Sequence, residues 1–96
     1  MIDKDGNTYR VTRPMVIANA RALFEAGRGL LGAETARDVT LDLAPVREVD
    51  SSALAVLFGW RRAAATRGIA LRVIDPPASL LNLASVHGVA GSLPLA

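Results

Sequence analysis

Between residues 39 and 74 the hydrophobic pattern changes period twice, and that change limits the chain to few folds. Val39, Leu41 and Leu43 alternate with Thr40 and Asp42, the period-two pattern of a strand with one buried face. Pro45 closes the run. After the loop Val46 to Val49, a Pro-free stretch rich in Ala and Leu runs from Asp50-Ser51-Ser52 to Thr66, and Gly68 supplies a stop. Ile69, Leu71 and Val73 then alternate with Ala70 and Arg72 until Asp75-Pro76-Pro77 breaks the pattern. Strand, helix of about fifteen residues and strand form a right-handed crossover, which sets the two strands parallel in one sheet.

The flanking segments agree with this core. Asp5-Gly6-Asn7 is a turn signal, and Thr8 to Thr12 alternates Tyr9 and Val11 with Arg10 and Thr12 before Pro14 stops it. From Val16 the period becomes helical: Val16, Ala20, Leu23, Phe24, Gly27, Leu30 and Leu31 share a face, predicting an amphipathic helix that ends near Gly27 and Gly29. Pro77 to about Val86 reads as a third helix, with Pro at its start. The outward strand positions Thr40, Asp42 and Arg72 are polar, so helices should cover one face of the sheet only. The expectation is a single two-layer α/β domain over residues 1–96, a small mixed sheet with helices packed mainly on one face.

Composition excludes several classes of function. A chain of 96 residues with no Cys and one His has no disulfide framework, no thiolate chemistry and no nitrogen-rich metal site. No cofactor is expected. The longest unbroken apolar stretch, Ala53 to Trp60, is far shorter than the roughly 20 residues of a membrane span. The Met1-Ile2-Asp3-Lys4 start lacks the basic and apolar regions of a secretion signal, so a cytoplasmic location is expected. The net charge is only +2 and no aromatic flanks a basic cluster, which argues against nucleic acid.

The most informative local feature is Asp50-Ser51-Ser52 at the start of the second helix. Asp50 is placed as a cap, and the serines fall in the first turn, among free backbone N–H groups at the positive end of the helix dipole. All three residues could be capping residues and nothing more. Alternatively, those groups could receive a phosphate esterified to Ser51 or Ser52, although Asp50 would repel it. A nucleophilic serine would need a base, and the single His, His87, is expected at the end of the third helix without a Gly-x-Ser-x-Gly elbow anywhere in the chain. No catalytic residue is assigned. The second helix is apolar nearly all round: Leu54, Leu57 and Phe58 would cover the sheet, while Ala53, Val56, Trp60, Ala63 and Ala64 form another apolar face. Val56 and Trp60 either pack under a neighbouring helix or contact a partner.

At these residues the chain resembles the STAS family, named for sulphate transporters and anti-sigma factor antagonists. The matching elements are Val39 to Leu43 with the loop Val46-Arg47-Glu48-Val49, then Asp50-Ser51-Ser52-Ala53-Leu54, the Arg-rich end of the second helix, Gly68-Ile69 and Pro76-Pro77. The similarity extends from about Tyr9 to Leu95. It implies a non-enzymatic interaction module, and two branches of the family differ in the partner. In anti-sigma factor antagonists the motif reads Asp-Ser-Ser-Gly and a partner kinase phosphorylates the serine before the Gly, the position of Ser52. Here Ala53 replaces that Gly, and its methyl is expected to crowd the kinase's approach. In the MlaB-like branch, a small cytoplasmic subunit binds the ATPase of a phospholipid-trafficking ABC transporter, and a hydroxyl residue matching Ser51 belongs to the contact. The helix Leu54 to Arg62 and the ending Leu83 to Val89 look more like this second branch. The resemblance therefore implies an ABC-transporter ATPase subunit as partner, with an anti-sigma factor kinase as the alternative, and membrane contact only through the complex.

Overall fold

The computed structural model describes residues 1–96. Its elements follow in the order β1 (Ile2–Asp5), β2 (Thr8–Val11), α1 (Ile17–Ala33), β3 (Asp38–Asp42), α2 (Ser52–Ala65), β4 (Ala70–Ile74) and α3 (Ala78–Val86), with one 3-10 turn at Ala90–Ser92. The four strands form one sheet in the order β1-β2-β3-β4; β1 and β2 pair antiparallel, the other neighbours parallel. The sheet is therefore mixed, and α1 and α2 are its two parallel crossovers. No helix is long and apolar enough to cross a membrane.

The expected two layers are present. Tyr9 lies beside Leu41 and Leu41 beside Val73 in register, so the apolar sets of β2, β3 and β4 share one face. Tyr9, Val11, Val39, Leu41, Leu71 and Val73 are buried under the helices, while Ala70 and Arg72 are exposed on the far side. On that open face Arg10 Nε donates to Asp42 Oδ2 at 3.1 Å, which is how an outward-facing carboxylate comes to be buried.

Two sequence expectations need correction. The strand β1 went unread because Ile2-Asp3-Lys4-Asp5 holds one apolar residue; it forms as an edge strand because Gly6, at φ 60°, turns the chain back onto β2. The helix α1 does not stop at Gly27 and Gly29 but runs on to Ala33. Gly27 is buried in mid-helix, where a Cβ would run into the indole of Trp60 from α2. The same device works in reverse one turn earlier: Phe24 of α1 lies on Gly59 of α2, where a Cβ would be 2.6 Å from Phe24 Cε1. The Trp60 indole N–H donates to the Phe24 carbonyl at 3.1 Å.

The far end of α1 is closed by polar contacts. The Tyr9 hydroxyl donates to Glu34 Oε1 at 2.6 Å, Glu34 Oε2 accepts from the N–H groups of Thr35 and Ala36, and Arg67 Nη1 donates to the carbonyls of Leu31 and Glu34. The outer edge of β4 is covered by the C-terminal segment, which exchanges two hydrogen bonds with Val73 through the Pro94 carbonyl and the Ala96 N–H.

The interlocked glycines generate a paired test. Gly27→Ala is expected to destabilise the protein by about 1–3 kcal/mol through overpacking against Trp60, despite the better helix propensity of Ala. Gly29→Ala, at a helical position with open space around it, is expected to be neutral or to stabilise by up to about 1 kcal/mol. Urea unfolding of both variants checks this, and equal effects would remove the close-approach argument.

Candidate functional site

The two crossover helices run side by side and begin at the same end of the domain. An isolated β-bridge between Met15 and Val49 zips together the segments that lead into them: the Met15 N–H donates to the Glu48 carbonyl at 3.0 Å and the Asp50 N–H to the Met15 carbonyl at 3.1 Å. This fixes Asp50 between the two helix starts. Its Oδ2 accepts from the Ile17 N–H at 2.9 Å, and its Oδ1 accepts from the Ser52 N–H at 2.9 Å and from the Ser52 hydroxyl. The residue preceding α1, Val16, has no capping side chain, so Asp50 caps α1 from a distance of 33 residues along the chain while also capping α2. These hydrogen bonds, that of the Ser52 hydroxyl foremost and then that of the Ile17 N–H, hold the Asp50 carboxyl below its ordinary range against a smaller opposing effect of desolvation.

Ser51 and Ser52 differ in their surroundings. Ser51, already in right-handed helical conformation, is exposed at the tip of α2. Ser52 is half-buried and its hydroxyl is committed to a carboxylate, not to an imidazole; His87 is the exposed cap residue at the end of α3. No three His, Cys, Asp or Glu side chains come together where they could hold a metal ion.

Beside Ser52 an apolar groove of about 250 Å³ opens between the first halves of α1 and α2. Ile17, Ala20 and Phe24 line it from α1, and Ala55 and Val56 from α2. Arg21 is the single charged residue in its wall. Ile17 is 75 % exposed, the most exposed large aliphatic side chain near this end of the helices, whereas Val56 is 5 % exposed and forms part of the floor. Of the predicted residues, Asp50, Ser51, Ser52 and Val56 are thus brought together.

Trp60 is not among them. It is fully buried between α1 and α2 against Gly27, so the partner contact expected of it is replaced by a packing role. The second apolar face of α2 is covered by α1. Ala53 does not crowd Ser52 as expected either: its side chain is fully buried in the core, so its methyl does not stand in the path to the Ser52 hydroxyl. Ile17, Arg21 and Phe24 were not foreseen as groove residues. The available signal was Ile17, an aliphatic residue at the edge of the apolar face of α1, at i, i+3, i+7 spacing with Ala20 and Phe24 and close to the helix start.

The family model described as "Mlab, STAS domain" matches residues 7–95. No curated protein matches the sequence. Among solved structures, the fold is similar to that of an anti-sigma-factor antagonist (STAS) domain protein from Planctomyces limnophilus, which is 14% identical, with a TM-score of 0.73 over 99% of this chain and 86% of that one. It is similar to the Bacillus cell fate determinant SpoIIAA in the phosphorylated form, 10% identical, with a TM-score of 0.69 over 100% of this chain and 89% of that one. A sulfate transporter family protein from Wolinella succinogenes is 20% identical, with a TM-score of 0.64 over 93% and 74% of the respective chains. At these identities the likeness is one of fold.

The bridge at Asp50 has a defined pH dependence. Because its folded-state pKa lies below the ordinary value, it contributes stability at neutral pH that is lost as pH falls through the carboxylate range, below about pH 4. Asp50→Asn keeps one acceptor and cannot serve both helix starts. It is expected to be less stable at pH 7 and to lose less stability on acidification than the parent, as read from urea midpoints at pH 7, 5 and 3. Parallel pH curves for the two proteins would contradict this assignment.

Proposed function

This chain belongs to the STAS domain family and is MlaB-like, and from that membership we propose that it acts as a non-enzymatic subunit that binds the ATPase of a phospholipid-trafficking ABC transporter. The observation that carries the reading is the exposed Ser51 at the tip of α2, beside an apolar groove with the prominent Ile17 on its wall. An exposed aliphatic side chain next to a groove and a short hydroxyl that stays out of the way suit a packed protein interface. Asp50 is the scaffold of the surface, Ser51 its accessible hydroxyl, and Val56 the floor beneath the partner. In this reading the chain works at the cytoplasmic face of the membrane and meets the membrane only through its partner.

The Asp50–Ser52 pair favours this branch over a phosphorylation switch. A phosphate on Ser52 would remove the hydrogen that the hydroxyl donates and set a dianion against the Asp50 carboxylate. The alternative is that Ser52 is phosphorylated by an anti-sigma factor kinase and that this repulsion is the switch, opening the clamp at both helix starts. The fold likeness to a protein solved in its phosphorylated form is what supports that second reading.

Affinity purification from the native host separates the two. An ATPase is expected to co-purify with the parent protein, and Ser51→Glu is expected to weaken that association at least about tenfold, or about 1.4 kcal/mol, by placing an unpaired carboxylate in the contact. Intact mass is expected to show no phosphate. Recovery of a kinase together with one phosphate, abolished by Ser52→Ala, would establish the alternative.

A further inference from the structure

The wall of the α1–α2 groove carries chemistry that specifies its occupant. We propose that the groove receives an amphipathic helical segment of another protein, which seats one apolar side chain between Ile17, Phe24 and Val56 and presents a carboxylate to Arg21. The proposal rests on the interaction-module reading above but identifies the partner's contact surface by its chemistry.

Three observations lead to it. The groove, at about 250 Å³, falls below the roughly 300–1,000 Å³ of small-molecule sites and suits one or two anchoring side chains. Its walls are helices whose backbone groups are bonded within the helices or, at the first residues Ile17 and Ser52, to Asp50, and the outer edge of β4 is occupied by Pro94 to Ala96. An extended segment would find no backbone partners there, whereas a helix brings its own hydrogen bonds satisfied and packs by ridges and grooves.

The third observation is charge. Arg21 takes part in none of the four ion pairs of the chain, although Arg28, two turns further along α1, is paired with Glu25. The acidic group at the near end of the groove, Asp50, already accepts three hydrogen bonds. The positive ends of the α1 and α2 dipoles lie at that same end. A carboxylate beside the apolar anchor meets complementary charge, and a basic side chain meets repulsion.

The test uses two synthetic amphipathic helical peptides of equal length, with Leu anchors at i, i+4 and i+7 and either Glu or Lys flanking them, titrated into the isotopically labelled full chain. The Glu peptide is expected to shift the amide signals of Ile17, Arg21, Phe24 and Ala55, to bind at least about tenfold more tightly than the Lys peptide, and to weaken as salt rises. Arg21→Glu is expected to reverse the preference, its unchanged remaining spectrum reporting an intact fold, and Arg72→Glu on the open sheet face is expected to leave it unaltered. No shifts at the groove, or equal binding of the two peptides, overturns the proposal. So does binding of vesicles containing phosphatidylglycerol through Arg21 without peptide binding, which would assign the groove to a lipid headgroup. If an ATPase co-purifies equally with Arg21→Glu and the Glu peptide does not bind, this inference falls and the ATPase reading stands. If a kinase is recovered instead, the ATPase reading falls and the peptides still decide the groove.

Discussion

Two aromatic rings seated on two glycines set the distance between α1 and α2, and the remaining architecture of the helical layer depends on that distance. Trp60 occupies the place of a side chain at Gly27, and Phe24 the place of one at Gly59. Each ring crosses to the opposite helix, so the backbones approach as closely as the thickness of a ring allows. Trp60 combines this with a polar requirement: buried indole N–H groups need a partner, and the Phe24 carbonyl supplies one. The cost is two glycines in helix interiors, roughly 1 kcal/mol each relative to alanine, set against burial of a whole indole.

Close approach at the middle of the helices is what lets one carboxylate serve both of their starts. Asp50 reaches the Ile17 N–H across the gap and the Ser52 N–H along its own chain, and the Met15–Val49 bridge holds the two leading segments in line. The positive ends of two helix dipoles are brought together here, an arrangement that repels itself unless an anion lies between them. Asp50 is that anion. Its depressed pKa and its three hydrogen bonds are two expressions of the same position. Ser52 completes the clamp, which leaves Ser51 as the serine whose hydroxyl is free to face a partner.

Periodicity exposed the layer structure because burial on one face leaves a repeat in the sequence: the crossover of β3, α2 and β4, the open sheet face and the helical start at Asp50-Ser51-Ser52 were all legible. What stayed hidden depends on pairs of residues distant in sequence. Gly27 looked like a stop because a glycine that terminates a helix and one that admits a ring are alike in one dimension; Trp60, 33 residues later, distinguishes them. Trp60 in turn looked like a surface contact because the second apolar face of α2 could be covered by α1 or by another protein, and only the glycine opposite decides. The capping of α1 by Asp50 was invisible for the same reason. β1 was missed because an edge strand held by a hairpin needs almost no apolar residues.

The two ends of α1 are finished in opposite ways, and the contrast locates the binding surface. At the C-terminal end, Glu34 has its oxygens occupied by Tyr9, Thr35 and Ala36, and Arg67 closes the last carbonyls. The Tyr9 hydroxyl is buried there, and burial together with the adjacent carboxylate pushes its pKa far up, so it remains a neutral donor. Glu34, Tyr9 and Arg67 thus find their partners inside the chain. At the N-terminal end Asp50, Ser52 and Asn19 find partners inside the chain, while Ile17 stands in solvent and Arg21 is in no ion pair. The fold holds Ile17 outside its core of 21 buried apolar residues, with the Ile17 N–H fixed to Asp50. The hydrogen bond that ties the helices together is thus also what points the apolar side chain outward, so stability and recognition at this end rest on the same carboxylate.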